Sequence, residues 1–176
     1  MMSKITVAIF IAFAIDGSAF GQSNEAWWLT VRFQPRDATV EGIPIQQIDP
    51  SWTAACLLRD APLPAAASER GYTLQNHGAT FERWSGDFDR DGREDKVLVG
   101  VYKTRTGVSG RFLLVLSSRL GGGWMKRALF KERGEAGFSA ILGTQKRLVW
   151  ATCMACDSFC EVIPRRGSWK LKCESQ

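Results

Sequence analysis

From residue 80 onward the chain alternates short runs of aliphatic, β-branched and aromatic residues with clusters of turn formers, at intervals of about ten residues. Candidate strands cover 80–84, 96–104, 111–118, 124–131, 138–142, 147–153, 159–164 and 168–173. Gly107-Val108-Ser109-Gly110, Gly121-Gly122-Gly123, residues 132–137, residues 144–146 and Arg165-Arg166-Gly167 separate them. Runs this short with links this tight join as hairpins, because a parallel crossover needs a dozen or more residues. The expected fold is mainly β: an antiparallel meander sheet in a sandwich, a barrel or a single propeller-like blade. No long motif recurs, so a multi-blade propeller is excluded.

The N-terminal half is less regular. Residues 27–34 read as a first strand ended by Pro35, and 40–48 as extended. Asp49-Pro50-Ser51-Trp52 has the composition of a helix start, with Asp49 or Ser51 as N-cap. The one short helix expected in the chain therefore covers 53–59, carries Cys56, and is stopped by Pro62 and Pro64.

Lys4 is followed by an uncharged apolar run over 5–15, then by Ala19-Phe20-Gly21. This is the order of a signal peptide, too short in its apolar part to anchor in a bilayer, with cleavage expected before Gln22. The expected organisation is a signal peptide over 1–21 and a single β-rich domain over 22–176, exported to the periplasm or secreted, without a stable membrane anchor after cleavage. Lys4 and Asp16 leave together, so the net charge of +5 is kept. The basic residues are scattered among acids, and only Arg165-Arg166 and Lys170/Lys172 form tight groups. Nucleic-acid binding needs a concentrated stripe, so no nucleic acid is expected as partner.

The five cysteines, Cys56, Cys153, Cys156, Cys160 and Cys173, are read as disulfide candidates in an oxidising compartment. A structural zinc site needs four ligands, and the only histidine, His77, is remote in sequence. Asp157 stands where a c-type haem motif requires histidine. A final hairpin turning at Arg166-Gly167 sets Cys160 opposite Cys173, at a separation close to the bridging range. A turn at Cys156-Asp157 instead opposes Cys153 and Cys160. The first pairing is preferred because its turn carries glycine, leaving Cys56 to join Cys153 or Cys156 and one thiol free.

Residues 85–96 carry the most specific chemistry. Asp87, Asp89 and Asp91 alternate, Gly92 permits a sharp turn, Arg93 offers a carbonyl, and Asp95 adds a fourth carboxylate. An all-oxygen set of this kind suits a hard cation, and calcium accepts six to eight such ligands in flexible geometry. The spacing follows the EF-hand as far as Gly92, but Leu98 occupies the twelfth position and an apolar strand follows instead of a helix. Gly86, Asp87, Phe88, Asp89, Asp91, Gly92, Asp95 and the strand 97–101 resemble the calcium loop of FG-GAP and VCBS-type repeats. That resemblance covers a single copy. It implies a Ca2+ ion held by Asp87, Asp89, Asp91, Asp95 and the carbonyl of Arg93, and it does not carry over the propeller of those families.

A catalytic constellation is harder to assemble. His77 lies in the turn-like Gln75-Asn76-His77-Gly78, and carboxylate pairs such as Glu82 with a loop aspartate suggest glycoside chemistry, with nothing in the sequence to set their separation. Trp27, Trp28, Trp84, Trp124, Trp150 and Trp169 lie in or beside candidate strands, as packing residues or as an exposed platform. The expected function is that of an exported, calcium-stabilised binding protein, of the inhibitor or immunity type, whose partner is another protein. The rival is an exported carboxylate-dependent hydrolase, glycosidase-like, with a purely structural envelope role as a third reading.

Overall fold

A computed structural model describes residues 26–68, 73–84, 86–144, 147–154, 156 and 159–173. The expected signal peptide lies outside the described residues. In chain order the elements are α1 (Trp27–Thr30), β1 (Thr39–Val40), β2 (Ile43–Pro44), α2 (Ile45–Ile48), β3 (Trp52–Leu57), β4 (Ala79–Thr80), β5 (Glu82–Trp84), β6 (Asp95–Thr104), β7 (Ser109–Ser118), β8 (Trp124–Arg133), β9 (Ala140–Thr144), β10 (Arg147–Ala151), β11 (Phe159–Arg165) and β12 (Ser168–Cys173).

Among the described residues two five-stranded antiparallel sheets form, beside the two-stranded hairpin β1-β2. One runs β3-β6-β7-β8, with β5 on the same edge of β6 as β3. The other runs β12-β11-β10-β9-β4. The chain passes between sheets at Phe81: β4 pairs with β9, β5 pairs with β6, and the carbonyl of the buried Phe81 accepts from the N–H of Val99. The expected strand over 80–84 is thus two short strands serving different sheets.

The arrangement is a β-sandwich with a third layer. Val97, Val99, Val101, Leu113 and Val115 share a core with Ile141, Leu148, Trp150 and Val162 of the opposite sheet, and Trp27, Trp28, Phe33 and Phe138 belong to the same core. The intervening residues Leu98, Phe112, Leu114 and Leu116 are covered on the reverse face by Val40, Ile43, Ile45, Ile48 and Trp52. Trp52 stacks on Tyr102 with ring centroids 5.0 Å apart. Burial on both faces explains why 97–101 is continuously apolar where a half-exposed strand would alternate.

The N-terminal expectations are corrected. Residues 27–34 form α1 and an irregular segment, and 53–59 form β3 and a short 3-10 turn. A seven-residue helix gains too little from its own hydrogen bonds to compete with tertiary pairing. As a strand, the segment pairs with β6 and buries Trp52, Ala55 and Leu57 in one core while Cys56 enters the other. Among the described residues the α-helices are the two four-residue pieces α1 and α2.

Cys160 faces Cys173 in the β11–β12 register and is bonded to it. The bridge expected from Cys56 is not made: Cys153 bonds Cys156, and Cys56 is a buried free thiol. The chain doubles back after β10 and brings the Cα atoms of Cys153 and Cys156 within 5.5 Å, inside bridging range. Burial pushes the Cys56 thiol above its ordinary pKa, leaving it protonated and unreactive.

Candidate metal centre

The Asp-rich loop closes the entry to β6. Asp95 is both the last acid of the loop and the first residue of the strand, opposite Ser117 of β7. Its N–H donates to the carbonyl of Gly86 at 3.0 Å, tying the two ends of the loop together. Within it, Asp87 accepts from the N–H groups of Asp91 and Gly92, both at 2.7 Å, and Asp89 accepts from Asp91 at 3.2 Å. Gly92 sits at φ 85°, a left-handed conformation that explains glycine at the sharpest point of the turn. The aspartates therefore shape the loop as well as charge it.

Carboxylate oxygens of Asp87, Asp89 and Asp95 all lie within 4.8 Å of one another. Oxygens bound to one cation at 2.3–2.6 Å are separated by at most about 5 Å, so this spacing fits a shared ion. Asp95 is fully buried and Asp89 is only 3% exposed. Burial pushes the Asp95 carboxyl above the usual carboxylate range, and the nearby Asp89 charge pushes it the same way. Hydrogen bonds from Ser117 and from the N–H groups of Phe88 and Asp89 restrain the rise. Two buried acids side by side carry an electrostatic cost that a positive ion at their centre removes.

Part of that charge is met by a residue the loop sequence does not reveal. Nη2 of Arg127 lies 3.1 Å from Asp89 and 2.9 Å from Asp91. Leu116 pairs with Lys126 and Val115 with Ala128, so Arg127 is the additional residue of a β-bulge in β8. A bulge re-aims its side chain, which places the guanidinium on the loop. Asp91 stands outside the three-oxygen group, meeting Arg127 and accepting from the N–H of Arg93 at 3.0 Å. Two other cations of the loop sequence meet other groups. The Arg93 guanidinium donates to the sulfur of Met125, and Lys96 pairs with Glu41 at 2.6 Å. Arg127 thus pairs with two of the loop's four aspartates.

Compared with known proteins, the chain matches no family model, no curated protein and no solved structure.

The acidic cluster can chelate a cation, and its oxygen-only donor set selects hard ions over the softer metals that prefer thiolate or imidazole. Each carboxylate oxygen has two lone pairs, so the backbone bonds already made leave acceptor capacity.

The residues considered for acid–base chemistry are engaged elsewhere. His77 ends a 3-10 turn capped by the left-handed Gly78 and packs edge-on against Trp28 with centroids 6.1 Å apart. Glu82 binds Arg59, which also binds Glu41. Glu41 and Gly42 form the two-residue turn between β1 and β2, both at positive φ. The turn brings Glu41 between Arg59 and Lys96, linking the covering hairpin to the sheet. Among the tryptophans, Trp27, Trp28, Trp52, Trp150 and Trp169 are buried. They are packing residues and form no exposed platform. No described helix is long and apolar enough to cross a membrane.

Proposed function

We propose that the protein is an exported calcium-binding β-sandwich domain that acts by binding another protein, in the manner of an inhibitor or immunity protein. The observation that carries the metal part is the convergence of Asp87, Asp89 and Asp95, two of them buried, at the start of the central strand. Calcium is favoured by the all-oxygen donor set and by the resemblance of the loop to FG-GAP and VCBS-type calcium loops. The same resemblance assigns Asp91 and the carbonyl of Arg93 to the shell, and Asp91 would join it only by giving up its pairing with Arg127. The ion neutralises the buried carboxylates and pins the turn that leads into β6, so its role is to stabilise.

Two disulfides in one small domain support an oxidising compartment, in line with the signal-type N-terminus. The engagement of Glu82 in an ion pair and of His77 in packing weakens the hydrolase reading built on those two residues, and so favours the partner-binding reading over it. Thermal unfolding in calcium and in chelator tests the metal reading. Calcium should raise the melting temperature of the natural protein and leave Asp89→Ala unchanged, and equal melting curves for the natural protein would overturn it. Affinity capture from an envelope extract tests the second part, and recovery of no specific protein would count against it.

A further inference from the structure

Phe88, Asp89 and Arg90 of the loop face Pro164, Arg165 and Arg166 of the β11–β12 hairpin across a groove of about 550 Å3 that is open to solvent. Its size is that of a ligand cleft. Three exposed arginines, Arg90, Arg165 and Arg166, line it, and among the described residues none of the three has an ion-pair partner. Several arginines elsewhere are matched, Arg32 with Glu135, Arg59 with Glu41 and Glu82, and Arg147 with Glu161, so that three unmatched ones along one groove concentrate positive charge there. The one acid in the lining, Asp89, is buried and engaged by Arg127. The charge that the groove offers to solvent is positive.

Guanidinium forks bind carboxylates through paired hydrogen bonds, and arginine is over-represented among residues that dominate protein interfaces. The openness of the groove suits an extended chain better than an enclosed small molecule. Single-stranded nucleic acid would need ring faces for base stacking. Here Phe88 packs edge-on against Trp169, itself only 8% exposed, so no such platform is presented. We infer that the groove between the Asp loop and the last hairpin docks an acidic peptide segment of a partner protein, its carboxylates meeting Arg90, Arg165 and Arg166. The inference rests on the reading that this protein binds another protein. It does not require the ion, but Asp89 is a wall of the groove and a member of the metal cluster. A cation there offsets the negative charge of the Asp loop beside the groove, so calcium and peptide strengthen each other's binding.

Fluorescence anisotropy of a labelled Glu-Gly repeat peptide, with a Gln-Gly repeat and an oligothymidylate as comparisons, provides the test. Saturable binding of the acidic peptide alone is expected, weakened roughly tenfold or more by Arg165→Glu or Arg166→Glu. Arg165 ends β11 and Arg166 begins the turn, both exposed, and circular dichroism verifies that the variants fold. Arg133→Glu, at the opposite end of β8 from the loop, makes the same charge change and should alter affinity by no more than about twofold. Equal weakening by Arg133→Glu, tighter binding of oligothymidylate, or no saturation by the acidic peptide would each overturn the inference. Running the titration in calcium and in chelator separates it from the metal reading, since binding that persists in chelator supports the groove even if the ion is absent. Loss of peptide binding while affinity capture still retrieves a partner overturns the groove alone.

Discussion

Replacing Glu41 by alanine should be among the most destabilising changes outside the apolar core. The Glu41 carboxylate meets Lys96 Nζ at 2.6 Å, with the lysine side chain 2% exposed and the glutamate side chain 9%. Removing one partner of a buried pair costs about 3–5 kcal/mol, because the remaining charge stays desolvated. The ammonium lies 4.5 Å from the centroid of the Trp124 ring, a cation–π contact worth about 0.5–2 kcal/mol that survives the change. Arg59 keeps Glu82 and Asp60. The expected loss is therefore at the lower end, about 3 kcal/mol, a large share of the 5–15 kcal/mol typical of a domain. Adding Lys96→Met should recover most of it, since exchanging a whole buried pair for apolar groups is often neutral. Urea unfolding followed by far-ultraviolet circular dichroism on both single variants and the double variant measures this. A loss below about 1 kcal/mol for Glu41→Ala, or strict additivity in the double variant, would refute the buried-pair account.

Loss of the Cys160–Cys173 bridge should cost about 3 kcal/mol, and loss of Cys153–Cys156 about 2, because the second closes a much shorter loop; denaturation of paired Cys→Ser variants compares them. Gly100→Ala would place a Cβ 2.3 Å from the Phe112 ring and 2.5 Å from the Cys56 carbonyl oxygen, and overpacking of this kind should lower stability by at least about 1–3 kcal/mol in the same assay. Burial pushes the Asp49 carboxyl up, but hydrogen bonds from Lys131 and Ser51 outweigh it and hold the group at about 2. A lowered value means its contribution is complete above the ordinary 3.8 and lost as pH falls from there toward 2, so Asp49→Asn should flatten that part of the acid-unfolding profile. Asp95 has the opposite sign: its raised value means that cation-free protein loses stability as pH climbs above 3.8, and calcium should remove that loss in parallel pH titrations.

The C-terminal two thirds of the fold was legible because strand pattern and turn chemistry agree there. β6, β7, β8, β11 and β12 fall within a few residues of their expected positions, and glycine in the Arg166-Gly167 turn sets the register that opposes Cys160 and Cys173. The N-terminal third was not legible, because its conformation depends on what it covers. Residues 53–57 become a strand since β6 offers an edge, and 40–48 divide into a hairpin and a helix because Leu98, Phe112 and Leu114 need a lid. The sheet change at Phe81 leaves no sequence signal beyond an apolar residue between two threonine- and arginine-containing runs. At the metal cluster, alternation identifies Asp87 and Asp89, and the loop pattern adds Asp95. Arg127 and Ser117 arrive through strand register and a bulge, so nothing in the local sequence marks them.

Calorimetric titration of calcium into chelator-treated protein tests the central claim most directly. The account predicts one calcium per chain, bound with saturation below millimolar concentration, and a shift in unfolding free energy of about 2.7 kcal/mol at a hundredfold excess over the dissociation constant. Asp95→Asn, which keeps the shape of the side chain and removes its charge, should abolish the binding heat. Absence of any binding heat at millimolar calcium in folded protein with both disulfides formed would contradict the claim, and leave Arg127 as the counter-charge that Asp89 and Asp91 meet.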